Sequence, residues 1–411
     1  MSAKRKFPKL VISNLGPIRR AEVEFGDLTV LVGPQASGKS ILLQMLKLVT
    51  DYRSVAATLR KQGYALNGGG VVLLEAFFGE GMDNLWKDGV TKVNWKGENM
   101  TLSDLTPGKI HAKSPASLFY IPAHRVLTFK NGWPRHFGDY SAGDPYVVED
   151  FSEQLRLMME SGLGRGEAIF PQAGRLTEAT RTLLKRGIFG DFALKQEQGG
   201  LRKRLVLQRK GEKALPFMVW SAGQREFTPL LLGLYHLMPS AGAGKRKPID
   251  WVVLEEPEMG LHPRAIESVL WLVMELMERG YRVCISTHSP HVLDLVWALR
   301  VFKDRKSSHE SLLELFHLDP SVKTTKVAES VLQKRLKVYY FDREAQSTVD
   351  ISRLDPNSAA EAENSWGGFT TFSSHAADVV AGLENSAPED SEGAVPDEAE
   401  ASAKSNPPLT T

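Results

Sequence analysis

Apolar and polar positions change period several times along the N-terminal part of the chain. Lys9 to Ser13 is a short apolar run, Ala21 to Phe25 alternates, and Leu28 to Val32 is continuously apolar. Alternation marks a half-buried strand, and a short unbroken run marks a fully buried one. From Lys39 to Val49 the spacing becomes helical, with Ile41, Leu42, Met45, Leu46 and Leu48 on one stripe. Val71 to Phe78 and Leu118 to Ile121 predict two further strands.

From Asp144 to Arg186 the pattern is helical and polar, with Gly and Pro breaks, and Gly190 to Val219 alternates like a hairpin. Asp250 to Leu254 and Arg282 to Ser286 read as buried strands. The first precedes an amphipathic helix, His262 to Arg279, with Pro263 in its first turn and Gly280 at its end. The second precedes a helix from Pro290 to Arg300. Buried strands alternating with helices predict an α/β core.

Composition narrows the class. The chain has 411 residues, with 51 Lys plus Arg against 49 Asp plus Glu, a net charge of +2. Hydrophobic residues are 42%, which excludes a wholly disordered or collagen-like chain. Asn385 to Thr411 carries six acids and one lysine, a net −5 that leaves +7 on the rest. That segment is poor in bulky apolar residues and is expected to be disordered. Cys284 is the one cysteine, so no intramolecular disulfide forms and a reducing, cytoplasmic setting is expected. No signal peptide is apparent, and the most apolar helical run, Val269 to Met277, is too short to cross a bilayer.

Four segments carry candidate chemistry. Gly33-Pro34-Gln35-Ala36-Ser37-Gly38-Lys39-Ser40, followed by Ile41, fits G-x-x-x-x-G-K-[ST] between a buried strand and a helix. The glycines let successive N–H groups turn inward around an anion, and the helix N-terminus adds its dipole. Lys39 would reach the β- and γ-phosphates, and Ser40 would ligate Mg2+. Trp251 to Glu258 is a buried strand ending in two carboxylates. Glu255 is placed to hold the metal shell and Glu256 to polarise the attacking water; solvated acids at a strand end are the blander reading. Ser221-Ala222-Gly223-Gln224 precedes an apolar helix, Leu230 to Met238. Ser221 and Gln224 form a capping box, and the same N–H groups can face a phosphate. Pro229 argues against one continuous helix from that cap. Ser286-Thr287-His288-Ser289-Pro290 places His288 just beyond a strand end, where it can sense a γ-phosphate.

This order of motifs resembles the soluble ABC-type ATPases of the RecF, SMC and overcoming-lysogenization-defect group, over roughly Lys9 to Val301. The opening Ile12-Ser13-Asn14-Leu15-Gly16-Pro17-Ile18 resembles the N-F-G-P-I start of that group. Val32 to Ser40 and Trp366-Gly367-Gly368-Phe369-Thr370-Thr371-Phe372 resemble the AriA family, the ATPase subunits of PARIS anti-phage defence systems. The resemblance implies an ABC-type P-loop ATPase head of α/β class, with a mixed sheet and a central helical plus hairpin insertion. It implies an N-terminal head part over 1–125, the insertion over 126–215, a C-terminal head part over 216–384 and an acidic tail over 385–411. Gly33 to Ser40 would be Walker A, Glu255 the Walker B acid in place of the usual Asp, Glu256 the catalytic glutamate and His288 the switch histidine. Ser221 to Gln224 would be the signature, acting on a partner subunit's ATP, with Ala222 where many members carry Gly. Met259 to His262 would lie where the D-loop does. No Q-loop glutamine follows Leu118 to Ile121, where the chain reads Pro122-Ala123-His124-Arg125.

The implied function is an ATP- and Mg2+-dependent sensor and scaffold. It would assemble with itself as an ATP-sandwich dimer or a larger ring such as a hexamer, and hold an AriB-like nuclease effector. An acidic, DNA-mimicking phage protein is the expected trigger. Some relatives carry a C-terminal Toprim nuclease with an Asp-x-Asp pair. No Asp-x-Asp follows Val301, so the nuclease is expected on a separate protein. The alternative is a RecF- or Rad50-like DNA-repair or DNA-clamping ATPase. The basic stretch Lys195, Arg202, Lys203, Arg204, Arg209, Lys210 and Lys213 allows it, although a solvated face is the commoner meaning of such a stretch. No heptad coiled coil separates the motifs, and no N-K-x-D marks a GTPase.

Overall fold

A computed structural model of the chain describes residues 7–66, 69–106, 115–141, 143–163, 168–172, 174–199, 202–239 and 244–384. The acidic segment expected to be disordered, 385–411, lies outside the described residues.

The chain opens with an antiparallel pair, β1 (Lys9–Leu15) and β2 (Ile18–Glu24), then β3 (Leu28–Val32). Helix α1 (Lys39–Lys61) rises directly from the glycine-rich loop, and α2 (Gly70–Phe78) follows. Next come β4 (Lys92–Trp95), β5 (Glu98–Met100) and β6 (Leu118–Ile121). A short pair, β7 (Phe129–Lys130) and β8 (Trp133–Pro134), leads to α3 (Tyr146–Glu160) and α4 (Glu178–Leu184). A three-stranded antiparallel sheet is made by β9 (Ala193–Gly199), β10 (Arg202–Gln208) and β11 (Leu215–Pro216). Then follow α5 (Ala222–Leu237), β12 (Trp251–Glu255), α6 (Pro263–Glu278), β13 (Arg282–Ser286) and α7 (Pro290–Asp304). The chain continues through α8 (His309–Leu315), α9 (Val322–Leu332), β14 (Leu336–Asp342), β15 (Ser347–Asp350) and α10 (Glu361–Asn364). Residues through Phe369 form one compact unit, and the described part of a second unit is α11 (Thr371–Glu384).

Ten strands form one mixed sheet in the order β5-β4-β1-β2-β15-β14-β3-β13-β12-β6. From β14 to β6 all neighbours are parallel. Of these, β3, β13, β12 and β6 are almost wholly buried, as expected of near-continuous apolar runs covered on both faces, while β14 is partly exposed. On β3, Leu31 joins a core with α1 and α2, while Val30 and Val32 face a second core with α5, α6 and α7. Trp251 and Val253 of β12 face the first core, and Val252 and Leu254 the second. The insertion shares the second core through Phe170, Leu194 and Leu205. Among the described residues no helix is long and apolar enough to cross a membrane.

Three sequence expectations are corrected. Val71 to Phe78 belongs to helix α2, not to a strand, and buries Leu73, Leu74, Phe77 and Phe78 at helical spacing. A short apolar run does not discriminate the two by itself. Helix α1 runs past Val49 to Lys61, bending at Asp51, whose φ is −125° and ψ 21°. Pro229 lies inside a continuous α5; burial of α5 among the core residues outweighs the lost main-chain bond.

The bend at Asp51 has a purpose in packing. Lys47 and Asp51 are both buried, 2.9 Å apart, and Lys47 Nζ also donates to Leu118 O at 2.7 Å. Asp51 accepts from Ser117 N, Ser117 Oγ and Leu118 N at 2.9, 2.9 and 3.0 Å. A buried ion pair this fully hydrogen-bonded fastens α1 to the start of β6.

Candidate functional site

The parallel strands β3, β13 and β12 lie side by side and deliver their C-terminal ends to one place. After β3 the chain makes the glycine-rich loop. Gly33, Ala36 and Gly38 have φ of 137°, 58° and 98°, which turns the loop back on itself. Gly33 admits no side chain, because a Cβ there would lie 2.5 Å from Phe341 O of β14. Gly38 caps α1 without any side-chain acceptor, which leaves the N–H groups of Lys39, Ser40 and Ile41 free of helical partners. Ile41's side chain packs into the first core, so it offers the site only its main chain. Gln35, Ala36 and Ser40 are exposed at the mouth, and Ser37 Oγ donates to Pro34 O at 2.8 Å.

Lys39 is buried, and its Nζ donates to Gly33 O and Pro34 O, each at 2.8 Å. Desolvation pulls its ammonium down to about 8, with the nearby Glu256 carboxylate opposing. The loop therefore concentrates one desolvated cation and several N–H dipoles, a fit for polyphosphate.

Glu255 ends β12 and is buried; Oε2 accepts from Ala123 N at 3.4 Å. Burial pushes its carboxyl up, opposed by the neighbouring Ser40 and Tyr120 hydroxyls. Glu255 Oε1 has no hydrogen-bond partner among the described residues. A buried carboxylate oxygen beside a serine hydroxyl suits an oxygen-seeking divalent cation. Among the described residues no cluster of three or more His, Cys, Asp or Glu could hold a metal. A cation here would thus share Ser40, Glu255 and nucleotide oxygens, as Mg2+ does.

Glu256 follows with φ 41°, a left-handed conformation costing a non-glycine residue about 1–2 kcal/mol. Its N–H donates to Ser286 O at 2.9 Å. His288 Nε2 lies 3.5 Å from Glu256 Oε1. His288 beside it holds Glu256 below the usual carboxylate range, against the opposing effect of burial.

Two residues that the motif reading did not assign complete the site. Glu258 Oε1 accepts from Thr287 Oγ1 at 2.8 Å and from His288 N at 2.7 Å, so it fixes the loop that follows β13. Its position in E-E-P-E was a signal, but a third acid in a turn reads as solvated until its partners are known. Arg125 is fully buried and donates to main-chain carbonyls of Glu255, Glu256 and Pro257. It lies in the segment after β6 that carries no glutamine, and an arginine there gives no hint of such a role in the sequence.

The capping box at Ser221 and Gln224 is formed in both directions, at 3.1 and 3.3 Å. Ser221 and Ala222 are exposed. A Cβ on Gly223 would lie 3.3 Å from Gly260 O, so the signature turn packs on the Met259–His262 segment of its own chain. The structure brings the phosphate loop, Glu255, Glu256 and His288 together; no hydrogen bond or ion pair described joins the signature turn to the phosphate loop.

The basic hairpin pairs two of its cations with its own acids and leaves Lys203, Lys210 and Lys213 exposed. Arg204 pairs with Glu197, and Lys195 Nζ donates to Gln208 Oε1 at 3.0 Å. Arg209 lies 4.3 Å from the centre of the Phe192 ring and 3.9 Å from Glu212.

Residues 165–294 match the family described as "AAA domain, putative AbiEii toxin, Type IV TA system". The match spans the signature turn, the acidic strand end and His288, and leaves out the phosphate loop. The Old nuclease of Escherichia phage P2 is 33% identical over 23% of this chain and 17% of its own length. The energy-coupling factor transporter ATP-binding protein EcfA of Carboxydothermus hydrogenoformans is 34% identical over 27% of this chain and 39% of its own. The chain thus spans well under half the length of either relative. The SMC head domain from Thermotoga maritima aligns over 70% of this chain and 91% of that one, at 15% identity and a TM-score of 0.30. The chain is thus similar over parts of its length to a toxin-associated AAA domain, a phage nuclease and an ABC-type transporter's ATP-binding protein, and its phosphate loop, paired acids and mixed α/β sheet fit a P-loop ATPase fold.

Proposed function

We propose that this chain is the ATP-binding and ATP-hydrolysing sensor and scaffold subunit of an anti-phage defence complex, holding a separate nuclease effector. The observation that carries the ATPase part is the convergence of Lys39, Glu255, Glu256 and His288 at the ends of three adjacent parallel strands. The phosphate-loop N–H groups and Lys39 would hold the β- and γ-phosphates. Ser40 and Glu255 would hold Mg2+, which supplies charge neutralisation on those phosphates. Glu256, ionised and braced by His288, would orient and deprotonate the attacking water.

Ser221 and Ala222 of the signature turn are exposed, and no hydrogen bond described joins the turn to its own phosphate loop. This favours ATP held between two copies, with Ser221 and the Gly223 N–H completing the partner's site. The defence role draws on the Trp366 to Phe372 resemblance, and the names of the matched toxin family and phage nuclease are compatible with it. The pairing of Arg204 with Glu197 and of Arg209 with Glu212 reduces the positive charge the hairpin offers to DNA, which weighs toward this reading over DNA clamping.

The test is Mg2+-dependent ATP turnover by the full chain, with solution mass measured in ATP and in ADP. Turnover together with an ATP-dependent gain in mass for Glu256→Gln is expected. An unchanged mass in ATP would remove the sandwich, and absence of turnover would remove the ATPase reading. Co-purification of a nuclease expressed from the same operon tests the scaffold role.

A further inference from the structure

We infer that Arg125 is a positioning residue that sets the backbone of Glu256 and couples it to the first turns of α5. The inference rests on the reading of Glu256 as the hydrolytic base. Arg125 has no exposed surface. Its Nη1 donates to Glu255 O at 3.3 Å and to Glu256 O at 3.2 Å. Those two carbonyls belong to the two peptide planes that flank the Glu256 Cα. The relative orientation of these planes defines the φ and ψ of Glu256, so one guanidinium nitrogen bridges the strained residue from both sides. Nη2 reaches Pro257 O at 3.4 Å, which extends the hold to the next peptide.

The same side chain reaches a second element. Arg125 Nε donates to Glu226 O at 3.1 Å, one turn beyond the Ser221 cap of α5. A planar fork with donors on three nitrogens can serve two segments at once; a lysine ammonium, a single point, cannot reproduce that geometry. Backbone strain at a functional residue persists only when its surroundings over-determine it. Here the surroundings include the helix that carries the signature turn. A shift of that turn would therefore pull on the guanidinium and rotate the peptides that aim the Glu256 carboxylate at His288. Gly260 lies in the same joint, since a Cβ there would meet Glu226 Cγ at 2.9 Å.

The test uses full-length Arg125→Lys and Arg125→Gln. Steady-state kcat and KM are measured, and hydrogen exchange is read separately over residues 255–261 and 222–228. The expected result is a kcat loss of about 10–100-fold at little-changed KM, smaller for Lys than for Gln. Exchange should quicken in both of these segments, whereas a general loss of folded protein would not single them out. Wild-type kcat in a folded variant, a KM change as large as the kcat change, or faster exchange in one segment alone overturns the inference. If neither variant folds, the wild type is titrated with a non-hydrolysable ATP analogue, and exchange must change in both segments at the same concentration. A change in one segment or in neither overturns the coupling. Failure of the wild type to hydrolyse ATP overturns the ATPase reading, and the exchange comparison then decides the role of Arg125 alone.

Discussion

His288 Nε2 and Glu256 Oε1 are 3.5 Å apart across the ends of two adjacent parallel strands. The contact joins the residue that would activate water to the residue that would sense the γ-phosphate. It also fixes a sign for pH dependence. Glu256 is held below its usual range chiefly by His288, so its carboxylate persists to lower pH than a free glutamate, and hydrolysis is lost only as pH falls through that lowered value. His288→Ala removes this hold and should move the acid limb of the kcat profile upward. An acid limb that stays in place in the variant would show that the contact does not tune the base.

Glu256→Gln keeps the shape of the side chain and removes its proton-accepting charge. A kcat loss of about 100- to 10,000-fold is expected, with ATP affinity retained. Single-turnover hydrolysis and equilibrium nucleotide binding separate the two effects. Wild-type turnover would place the base elsewhere.

Lys39 sits at about 8 because burial disfavours its charge. Its raised-pH form is neutral and cannot pair with phosphate, so ATP affinity should fall above about pH 8, by up to about tenfold per unit. Binding in that range should draw a proton into the site, which calorimetry in two buffers of different ionisation enthalpy detects. Equal affinity at pH 7 and about pH 9.5 would contradict it. Lys39→Ala should abolish the pH dependence together with most of the affinity.

The Lys47–Asp51 pair predicts a stability effect remote from the nucleotide. Asp51→Asn removes the carboxylate hydrogen-bonded to the buried Lys47 ammonium, leaves Asp150 as the nearby acid, and should cost up to about 3–5 kcal/mol of unfolding free energy. Replacing both partners by apolar residues should cost less than the sum of the single changes. Denaturant melts of the three variants provide the measurement.

For the hairpin, Arg204 and Arg209 are paired with Glu197 and Glu212, and the exposed Lys203, Lys210 and Lys213 remain to meet phosphates, a small number of contacts. Binding to duplex DNA should be no tighter than about micromolar at physiological salt, with a shallow dependence on salt concentration. Nanomolar affinity with a steep slope would favour the DNA-clamping alternative.

The buried central strands and the phosphate loop were legible because their signals are local: a run of apolar residues, or a spacing that backbone geometry demands. Leu28 to Val32 and Arg282 to Ser286 have their expected limits in the structure. Val71 to Phe78 was not legible, since an apolar run covered on most sides has no clear period. The same limit hid Arg125 and Glu258, whose partners are main-chain groups of segments distant in sequence or across a turn. Chemical type names a candidate; the partners that give it a role come only from three-dimensional proximity. The strands after Val301 also carried no motif, although β14 lies directly against β3.

That placement of β14 bears on how the protein is made. The strand order sets β14 and β15 between β3 and the β1–β2 pair, so β1, β2 and β3 wait for residues near 340, made about three hundred residues later, before their sheet can close. Until then β3 carries an open edge beside the phosphate loop. A ribosome stalled, or a chain cut, after α9 would thus release every nucleotide-binding residue without the neighbour that seats Gly33, and a truncated product should behave as a folding client rather than as a smaller ATPase.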